Sequence, residues 1–163
     1  KGGELGAFAL TEPNAGSDAA GVKTVAVYDE NTDEYILNGT KCFITGGERA
    51  GVLVIFAMTE PNLGTRGMSA FIVEKGMPGF TYGKIEDKMG LAGSETAELV
   101  FEDCRVPVAN MLGKKNKGFK IAMKALDAAR IGVGAQSIGV AEEAIDLSVK
   151  TCKIGRASCR ERV

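Results

Sequence analysis

Short strand-like runs separated by turn residues fill the chain from residue 5 to about residue 105, and this pattern constrains the fold more than any other feature. The runs are rich in β-branched and aromatic residues, and clusters of Gly, Asn, Asp and Pro divide them. They read GAFAL, TVAVYD, EYILNG, KCFITG, GVLVIFAMT, SAFIVEK, FTYGKIE and AELVFEDC. No helical pattern lies between them, so we predict an antiparallel sandwich or barrel and not a parallel sheet.

The pattern changes near Lys117, and a helical spacing of apolar residues then continues to about Lys150. The apolar positions are Phe119, Ala122, Met123, Leu126, Val133, Ala141 and Ile145. A single long helix cannot bury its own apolar face, so its partners are expected in a missing segment or in another subunit. The predicted class is α+β: an antiparallel β-sandwich or barrel domain followed by one long α-helix of a truncated helical bundle.

Charge and residue types exclude several classes of function. A net charge of −1 gives no basic surface for nucleic acid or an anionic membrane, and no apolar run approaches the length of a membrane span. The chain has no His and no CxxC pair among its four cysteines. We therefore expect no metal site, a His-based catalytic triad cannot form within this chain, and the cysteines are expected to be reduced and buried.

The last ten residues, IGRASCRERV, do not continue the helical pattern and are basic. They resemble the translated read-through of a sequencing adapter, so we predict a non-native tail over residues 154–163 and leave it out of functional reasoning. The natural gene is then expected to continue beyond Lys153. An adapter of this kind indicates environmental sequencing, which favours a bacterial cytoplasmic protein, or a mitochondrial matrix protein if the source is eukaryotic.

Two octapeptides share five residues at matched positions, TEPNAGSD at 11–18 and TEPNLGTR at 59–66. Each follows a strand-like run, and the Pro, Asn and Gly of each favour a sharp turn. In the first, Gly16 lets another molecule approach the backbone, while Thr11 and Ser17 offer hydroxyls. This combination suits an anionic or carbonyl-rich ligand. A plain surface turn would use the same residues, so turn chemistry alone leaves both interpretations open.

Four segments, in chain order, resemble signatures of the acyl-CoA dehydrogenase family of flavoproteins. They are FALTEPNAGSDAAG, NGTKCFITGG, KMGLAGSETAELVFEDCRVP and GFKIAMKALDAARIGVGAQSIG. The resemblance runs from about Gly6 to Lys150 and is greatest to the short-chain, butyryl-CoA type. It implies a helical N-terminal domain, a middle β-domain and a helical C-terminal domain. We therefore expect the middle domain at residues 1–113 and the start of the C-terminal domain, with its first long helix, at residues 114–153.

The resemblance implies FAD as the cofactor. The residues expected to bind it are Phe8, Leu10, Thr11, Gly16, Ser17, Phe43, Ile44 and Thr45. The backbone near Leu10 and the Thr11 hydroxyl would face the polar edge of the flavin ring, and Thr45 would lie near flavin N5. Many relatives carry Trp where this chain has Phe43, which still stacks but lacks the indole N–H. Phe43 could alternatively be an ordinary core aromatic.

The implied reaction is α,β-dehydrogenation of a short-chain acyl-CoA to the trans-2-enoyl-CoA, with hydride transfer to flavin N5. The resemblance places Ser17, Asp127 and Arg130 at the substrate; the alternative for Asp127 and Arg130 is an intrahelical ion pair of about 0.3–0.5 kcal/mol. Arg66 is either a contact to a CoA phosphate or a solvated loop residue. An electron-transferring flavoprotein is the expected electron acceptor, and a homotetramer is the expected assembly.

No residue of the chain is assigned as the catalytic base. Most relatives carry a Glu late in the C-terminal domain, and a minority carry it on the helix immediately before the Arg, where this chain has Ala129. Glu12 matches no catalytic position and is interpreted as structural. We therefore expect the chain to be inactive alone. The rival interpretations are an acyl-CoA oxidase, which reacts directly with oxygen, and a non-catalytic β-domain that binds nucleotides or partner proteins.

Overall fold

Within the residues that the structure describes, 3–153, the chain forms seven β-strands followed by one long α-helix. The coordinates are a computed structural model. The strands are β1 (Gly6–Ala9), β2 (Val25–Asp29), β3 (Glu34–Thr45), β4 (Val52–Met58), β5 (Met68–Glu74), β6 (Phe80–Ile85) and β7 (Thr96–Pro107), and the helix is α1 (Gly118–Lys153). Short 3-10 helices lie in the connections at Ala19–Gly21, Pro61–Gly67 and Val108–Asn110. The proposed tail at 154–163 lies outside the described residues.

The strands form one mixed sheet. Its order is β1-β4-β2-β3-β7-β6, with β5 on the other side of β4. The β2–β3, β3–β7, β6–β7 and β4–β5 pairs are antiparallel, whereas β1 and β4 are parallel and β2 meets β4 in parallel at one residue pair. The expected class, a β-sandwich or barrel domain followed by one long helix, is confirmed, but the sheet is not purely antiparallel as expected. Its pairing is mixed because β1 and β4 are separated along the chain by β2 and β3 and need no hairpin between them.

Two runs that the sequence separates, EYILNG and KCFITG, are one strand. The side chain of Asn38 bonds across to Asp103, donating to its carboxylate at 3.0 Å and accepting from its amide at 2.8 Å. A Cβ on Gly39 would lie 2.5 Å from Oγ1 of Thr24. The Asn-Gly pair therefore lets β3 pass close to a neighbouring segment instead of ending the strand.

The sheet curls until its distant strands meet around one apolar core. The rings of Tyr35 on β3 and Phe71 on β5 lie 5.0 Å apart, although these strands are not neighbours in the sheet. After β7 the chain crosses to β5, where Leu112 donates its amide to the carbonyl of Ala70 at 2.8 Å. The core between the strands includes the fully buried side chains of Leu37, Leu53, Ile55, Phe71, Val73, Leu99 and Val106. This closure fixes the ends of the strands that carry the candidate site.

The described residues divide into two compact units, with the boundary between Ala122 and Met123. In the first unit, Gly118 and Ala122 at the start of α1 are buried. In the second unit, every residue from Asp127 to Lys153 is exposed, as expected of a long helix without a covering partner. No helix within residues 3–153 is long and apolar enough to cross a membrane.

The described cysteines are free thiols, and Cys42 and Cys104 are buried as expected. Burial raises the pKa of the Cys104 thiol to about 11. The expectation is wrong for Cys152, which is exposed because it lies on the uncovered part of α1. Among the described residues no group of three or more His, Cys, Asp and Glu side chains could hold a metal ion.

Candidate cofactor-binding site

The turn at residues 11–18 closes immediately after β1. The amide of Glu12 donates to the carbonyl of Ala15 at 3.1 Å, and the amide of Ala15 donates back to Glu12 at 3.0 Å. Pro13 and Asn14 therefore form the tip, as their turn chemistry predicts. Gly16 is exposed, and no heavy atom lies within 4 Å of the position that a Cβ there would take. The backbone beyond the turn is thus open to a ligand.

A β-bulge in β3 lies next to this turn. Lys41 pairs with Leu99 and Ile44 pairs with Ala97, so two residues of β3 stand opposite one residue of β7. The second of them, Phe43, has a left-handed backbone with φ 57°, and its side chain is 61% exposed. Such a conformation costs on the order of 1–3 kcal/mol in a residue with a side chain, and it is concentrated at functional sites. Phe43 is therefore not part of the apolar core of the first unit.

One backbone hydrogen bond joins the turn to the bulge. The amide of Cys42 donates to the carbonyl oxygen of Thr11 at 3.0 Å. Thr11 is half-buried and Thr45, at the end of β3, is exposed. Within residues 3–153 neither hydroxyl makes a hydrogen bond, so both are available to a ligand.

Phe8, on the outer face of β1, is 37% exposed, and its ring lies 5.0 Å from that of Phe56.

The predicted FAD residues divide into two groups. Gly16, Ser17, Phe43 and Thr45 are exposed, and Phe8 and Thr11 are partly so. Leu10 and Ile44, in contrast, are 6% and 2% exposed and have their side chains in the interior. These two residues can therefore offer a ligand only backbone groups. For Leu10 that is the role expected, and for Ile44 burial limits the expected FAD contact to its backbone groups.

A buried ion pair lies directly behind the turn and the bulge. Lys41 Nζ is 2.7 Å from Oε1 of Glu12, with the two side chains 0% and 6% exposed. Nζ also donates to the carbonyl of Leu10 at 3.2 Å. The Glu12 carboxylate accepts from the amides of Lys23 at 2.7 Å and Thr24 at 3.0 Å. Glu12 is thus structural, as interpreted from the sequence. No role for Lys41 is predicted from the sequence. A Lys inside an apolar strand run is the signal that could have found it.

Burial and the charge of the partner together shift the pKa values of Glu12 and Lys41 from their ordinary values. Burial alone would raise the pKa of Glu12, but the Lys41 charge and the hydrogen bonds from Lys41 and the Lys23 amide hold it below its ordinary value. Burial lowers the pKa of the Lys41 ammonium, and the carboxylate of Glu12 opposes that shift. Since its oxygens are occupied by these donors and its pKa is low, Glu12 is unsuited to act as a base.

A second carboxylate holds the turn that follows Thr45. The carbonyl of Glu95 accepts from the amide of Gly46 at 2.9 Å, and its Oε1 accepts from the amide of Glu48 at 3.1 Å. Its Oε2 is buried without a partner in the described part of the chain. Glu95 therefore fixes the end of β3 from the side of β7. Nothing in its sequence pattern singles it out.

Asp127 and Arg130 lie three residues apart on α1, in the second unit, and both are exposed. No ion pair joins them within the described residues. The alternative of an intrahelical ion pair is therefore not formed. Their predicted role at a substrate stays a prediction.

The second octapeptide forms a closed loop of another kind. Residues 61–67 form two short 3-10 turns divided by a kink at Gly64. The carbonyl of Gly67 accepts from the amides of Thr59 at 2.8 Å and Glu60 at 3.1 Å. The hydroxyl of Thr59 lies 2.8 Å from that of Ser69 and 2.7 Å from Oδ1 of Asn116. The Thr59 hydroxyl is thus engaged within the fold, whereas the Thr11 hydroxyl makes no hydrogen bond among the described residues. Arg66 is exposed, and its possible contact with a phosphate stays a prediction.

Two family models match the chain. The model described as the acyl-CoA dehydrogenase middle domain matches residues 7–104, and the model described as the acyl-CoA dehydrogenase C-terminal domain matches residues 116–160. The first of these matches contains the turn, the bulge and the ion pair. The predicted boundary at residue 113 falls between the two matches, and the assignment of residues 154–163 as a tail stays a prediction.

Curated relatives and solved structures agree with these matches. Acryloyl-CoA reductase (NADH) of Anaerotignum propionicum is 78% identical over 92% of this chain and 38% of its own length. The short-chain specific acyl-CoA dehydrogenase of Megasphaera elsdenii is 52% identical over 98% of the chain and 43% of its own length. The structure of butyryl-CoA dehydrogenase from Megasphaera elsdenii superimposes with a TM-score of 0.88 at 56% identity, over 90% of this chain and 38% of that one. The chain thus spans about two fifths of the length of these relatives.

A solved structure described as the electron transferring flavoprotein of Acidaminococcus fermentans also matches. Its TM-score is 0.88 at 59% identity, over 90% of this chain and 38% of that one.

Proposed function

This chain belongs to the acyl-CoA dehydrogenase family, and we propose that the protein containing it is an FAD-dependent enzyme. The proposed reaction interconverts a short-chain acyl-CoA and its trans-2-enoyl-CoA. The observation that carries the proposal is the exposed, left-handed Phe43 beside Thr11. An aromatic ring held outward at an energetic cost, next to free hydroxyls, suits a planar cofactor with a polar edge. The short chain length is supported by the short-chain specific dehydrogenase at 52% identity.

The residues of the first unit fit FAD. Phe43 offers a ring for stacking, Thr11 and Thr45 offer hydroxyls, and Gly16 leaves open backbone where a bulky diphosphate could approach. When bound, FAD supplies the two-electron chemistry: it takes up the β-hydrogen of the acyl-CoA with its electron pair. The part of this chain is to bind and orient, because positioning alone can supply a large share of a rate enhancement.

The proton from the α-carbon requires a base that the described side chains do not supply at the family positions. Glu12 is occupied by its donors, and Ala129 offers only a methyl group. We therefore assign the base to a Glu elsewhere in the complete protein. Ser17, Asp127 and Arg130 are assigned to the substrate.

A reductive direction is a second candidate, favoured by the 78% identity to an acryloyl-CoA reductase. The same enzyme would then return a hydride to the β-carbon and a proton to the α-carbon of a short enoyl-CoA. The electron partner proposed in either direction is an electron-transferring flavoprotein, supported by the match to a structure described as such a protein. A homotetramer remains the proposed assembly.

The test uses the complete protein that contains this chain. We expect it to purify with a visible flavin absorption, to reduce an electron-accepting dye with butyryl-CoA, and to oxidise a reduced dye with crotonyl-CoA. The ratio of the two rates decides the direction, and rapid reoxidation by oxygen would instead indicate an oxidase. Residues 1–163 expressed alone are the control, and we expect no acyl-CoA-dependent turnover from them. A complete protein without flavin would contradict the proposal.

A further inference from the structure

The ion pair behind the candidate site contacts both of the segments expected at the cofactor. Glu12 directly follows Thr11 in the turn, and Lys41 lies two residues before Phe43 in the bulge. Lys41 Nζ reaches back to the carbonyl of Leu10 at 3.2 Å as well as to Glu12 at 2.7 Å. Movement of the turn relative to the bulge would therefore break at least two hydrogen bonds to a buried ammonium.

The Glu12 carboxylate also binds a third segment, the residues that lead into β2. Glu12 accepts from the amides of Lys23 and Thr24, which lead into β2. The side chain of Glu12 therefore closes the loop from Glu12 to Thr24. Between these ends lie Gly16 and Ser17, which are exposed. The carboxylate thus fixes the base of a loop whose outer part is open.

Stability alone does not account for an ion pair at this position. Removing two charges from water costs several kcal/mol per ion, and well-packed apolar residues often stabilise a fold equally well. Hydrogen bonds differ from apolar contacts because they fix direction and distance. With Lys41 0% exposed and Glu12 6% exposed, neither side chain can touch a bound molecule, so any effect on a ligand must act through the backbone.

We propose that Glu12 and Lys41 are positioning residues for the cofactor, which hold the Thr11–Ser17 turn and the Phe43 bulge in the relative placement that binds FAD. This inference rests on the proposed function. It predicts that FAD affinity depends on the hydrogen bonds of the pair and not only on the stability of the fold.

The experiment compares the variants Glu12→Gln, Lys41→Met and the double variant with the complete wild-type protein. For each we would measure the FAD dissociation constant by fluorescence titration, the visible circular dichroism of the bound flavin, and the melting temperature. Each single variant is expected to weaken FAD binding about tenfold or more. The double variant is expected to recover melting temperature, because no buried charge is left unpaired, yet to keep the weakened binding and the altered flavin spectrum.

Phe80→Ala is the matched control. Phe80 is buried on the edge strand β6, and its removal leaves a cavity that lowers the melting temperature without touching the pair. We expect its FAD affinity to stay near that of the wild type. If Phe80→Ala weakens FAD binding as much as the single variants do, or if the double variant regains wild-type affinity and spectrum, the inference is overturned.

The two proposals fail in distinguishable ways. A wild-type protein that binds no FAD overturns the proposed function and this inference with it. A wild-type protein that binds FAD, with all three variants binding it equally well, overturns the inference alone. If the single variants do not fold, the double variant still decides the question, since it carries no unpaired charge.

Discussion

The amide of Cys42 donates a 3.0 Å hydrogen bond to the carbonyl oxygen of Thr11. This bond places the turn that follows β1 beside the bulge of β3, although the two residues are far apart in the chain. On the inner side of the contact lies the Glu12–Lys41 pair, and on the outer side Phe43 is exposed. A buried ion pair therefore lies on one side of this contact and an exposed aromatic ring on the other.

Removal of one partner of the pair should destabilise the fold strongly. Glu12→Gln or Lys41→Met leaves the remaining group buried without its ion, which typically costs about 3–5 kcal/mol. The double variant should lose much less than the sum of the two single losses, because their effects are coupled. Chemical denaturation of the four proteins measures the coupling. Additive losses would show that the two side chains do not interact as the 2.7 Å contact requires.

The contribution of Glu12 should also depend on pH. Its pKa in the folded state lies below the ordinary value of 4.5, so its stabilisation is complete above that value and is lost as the pH falls through the folded pKa. The difference in unfolding free energy between wild type and Glu12→Gln should therefore be constant near neutrality and shrink in acid below pH 4.5. Denaturation at a series of pH values checks this; a difference that grows on acidification would contradict the direction.

Replacing Phe43 should separate stability from binding. Phe43→Gly removes a side chain from a residue at φ 57°, and Gly accepts that conformation without steric cost. The apoprotein should be as stable as the wild type or more stable by about 1 kcal/mol, while FAD affinity falls. Melting of the apoprotein and flavin titration give the two readouts. Loss of stability with unchanged FAD affinity would mean that the ring supports the fold and not the cofactor.

The start of α1 should not accept even one added methyl group. A Cβ on Gly118 would lie 2.5 Å from the carbonyl carbon of Ser69, so the backbone of β5 or the helix would have to shift. We expect Gly118→Ala to cost about 1–3 kcal/mol. Gly93→Ala is the control, since no heavy atom lies within 4 Å of its Cβ position. Equal melting temperatures for both variants would show that the close approach does not limit packing.

The described cysteines should differ in reactivity. Cys104 is buried with a pKa of about 11, and burial also raises the pKa of Cys42, so both are expected to react slowly with a thiol reagent near pH 8. In residues 1–163 expressed alone, Cys152 should be alkylated first because it is exposed. Peptide mass spectrometry after brief treatment identifies the modified sites. Early modification of Cys104 would indicate local opening of β7.

Local patterns in the sequence determine the strands and the helix of this protein, and they also identify its family. β-branched runs bounded by turn residues predict the strands, and the change in periodicity near Lys117 predicts α1, which begins at Gly118. These signals work because alternation and helical spacing reflect contacts between residues close in sequence. The motifs around 11–18 and 41–47 likewise identify the family, because they combine residue types that turns alone do not require.

Tertiary structure decides what those motifs do. Lys41 bonds to Glu12, which lies 29 positions away in the sequence. The bulge that turns Phe43 outward exists only because the pairing of β3 with β7 shifts by one residue. The same applies to the two similar octapeptides: the Thr59 hydroxyl bonds to Ser69 and Asn116, while the Thr11 hydroxyl makes no hydrogen bond within residues 3–153. Turn residues specify a local conformation, but only the pairing of distant strands determines which side chains are buried as partners and which remain open to a ligand.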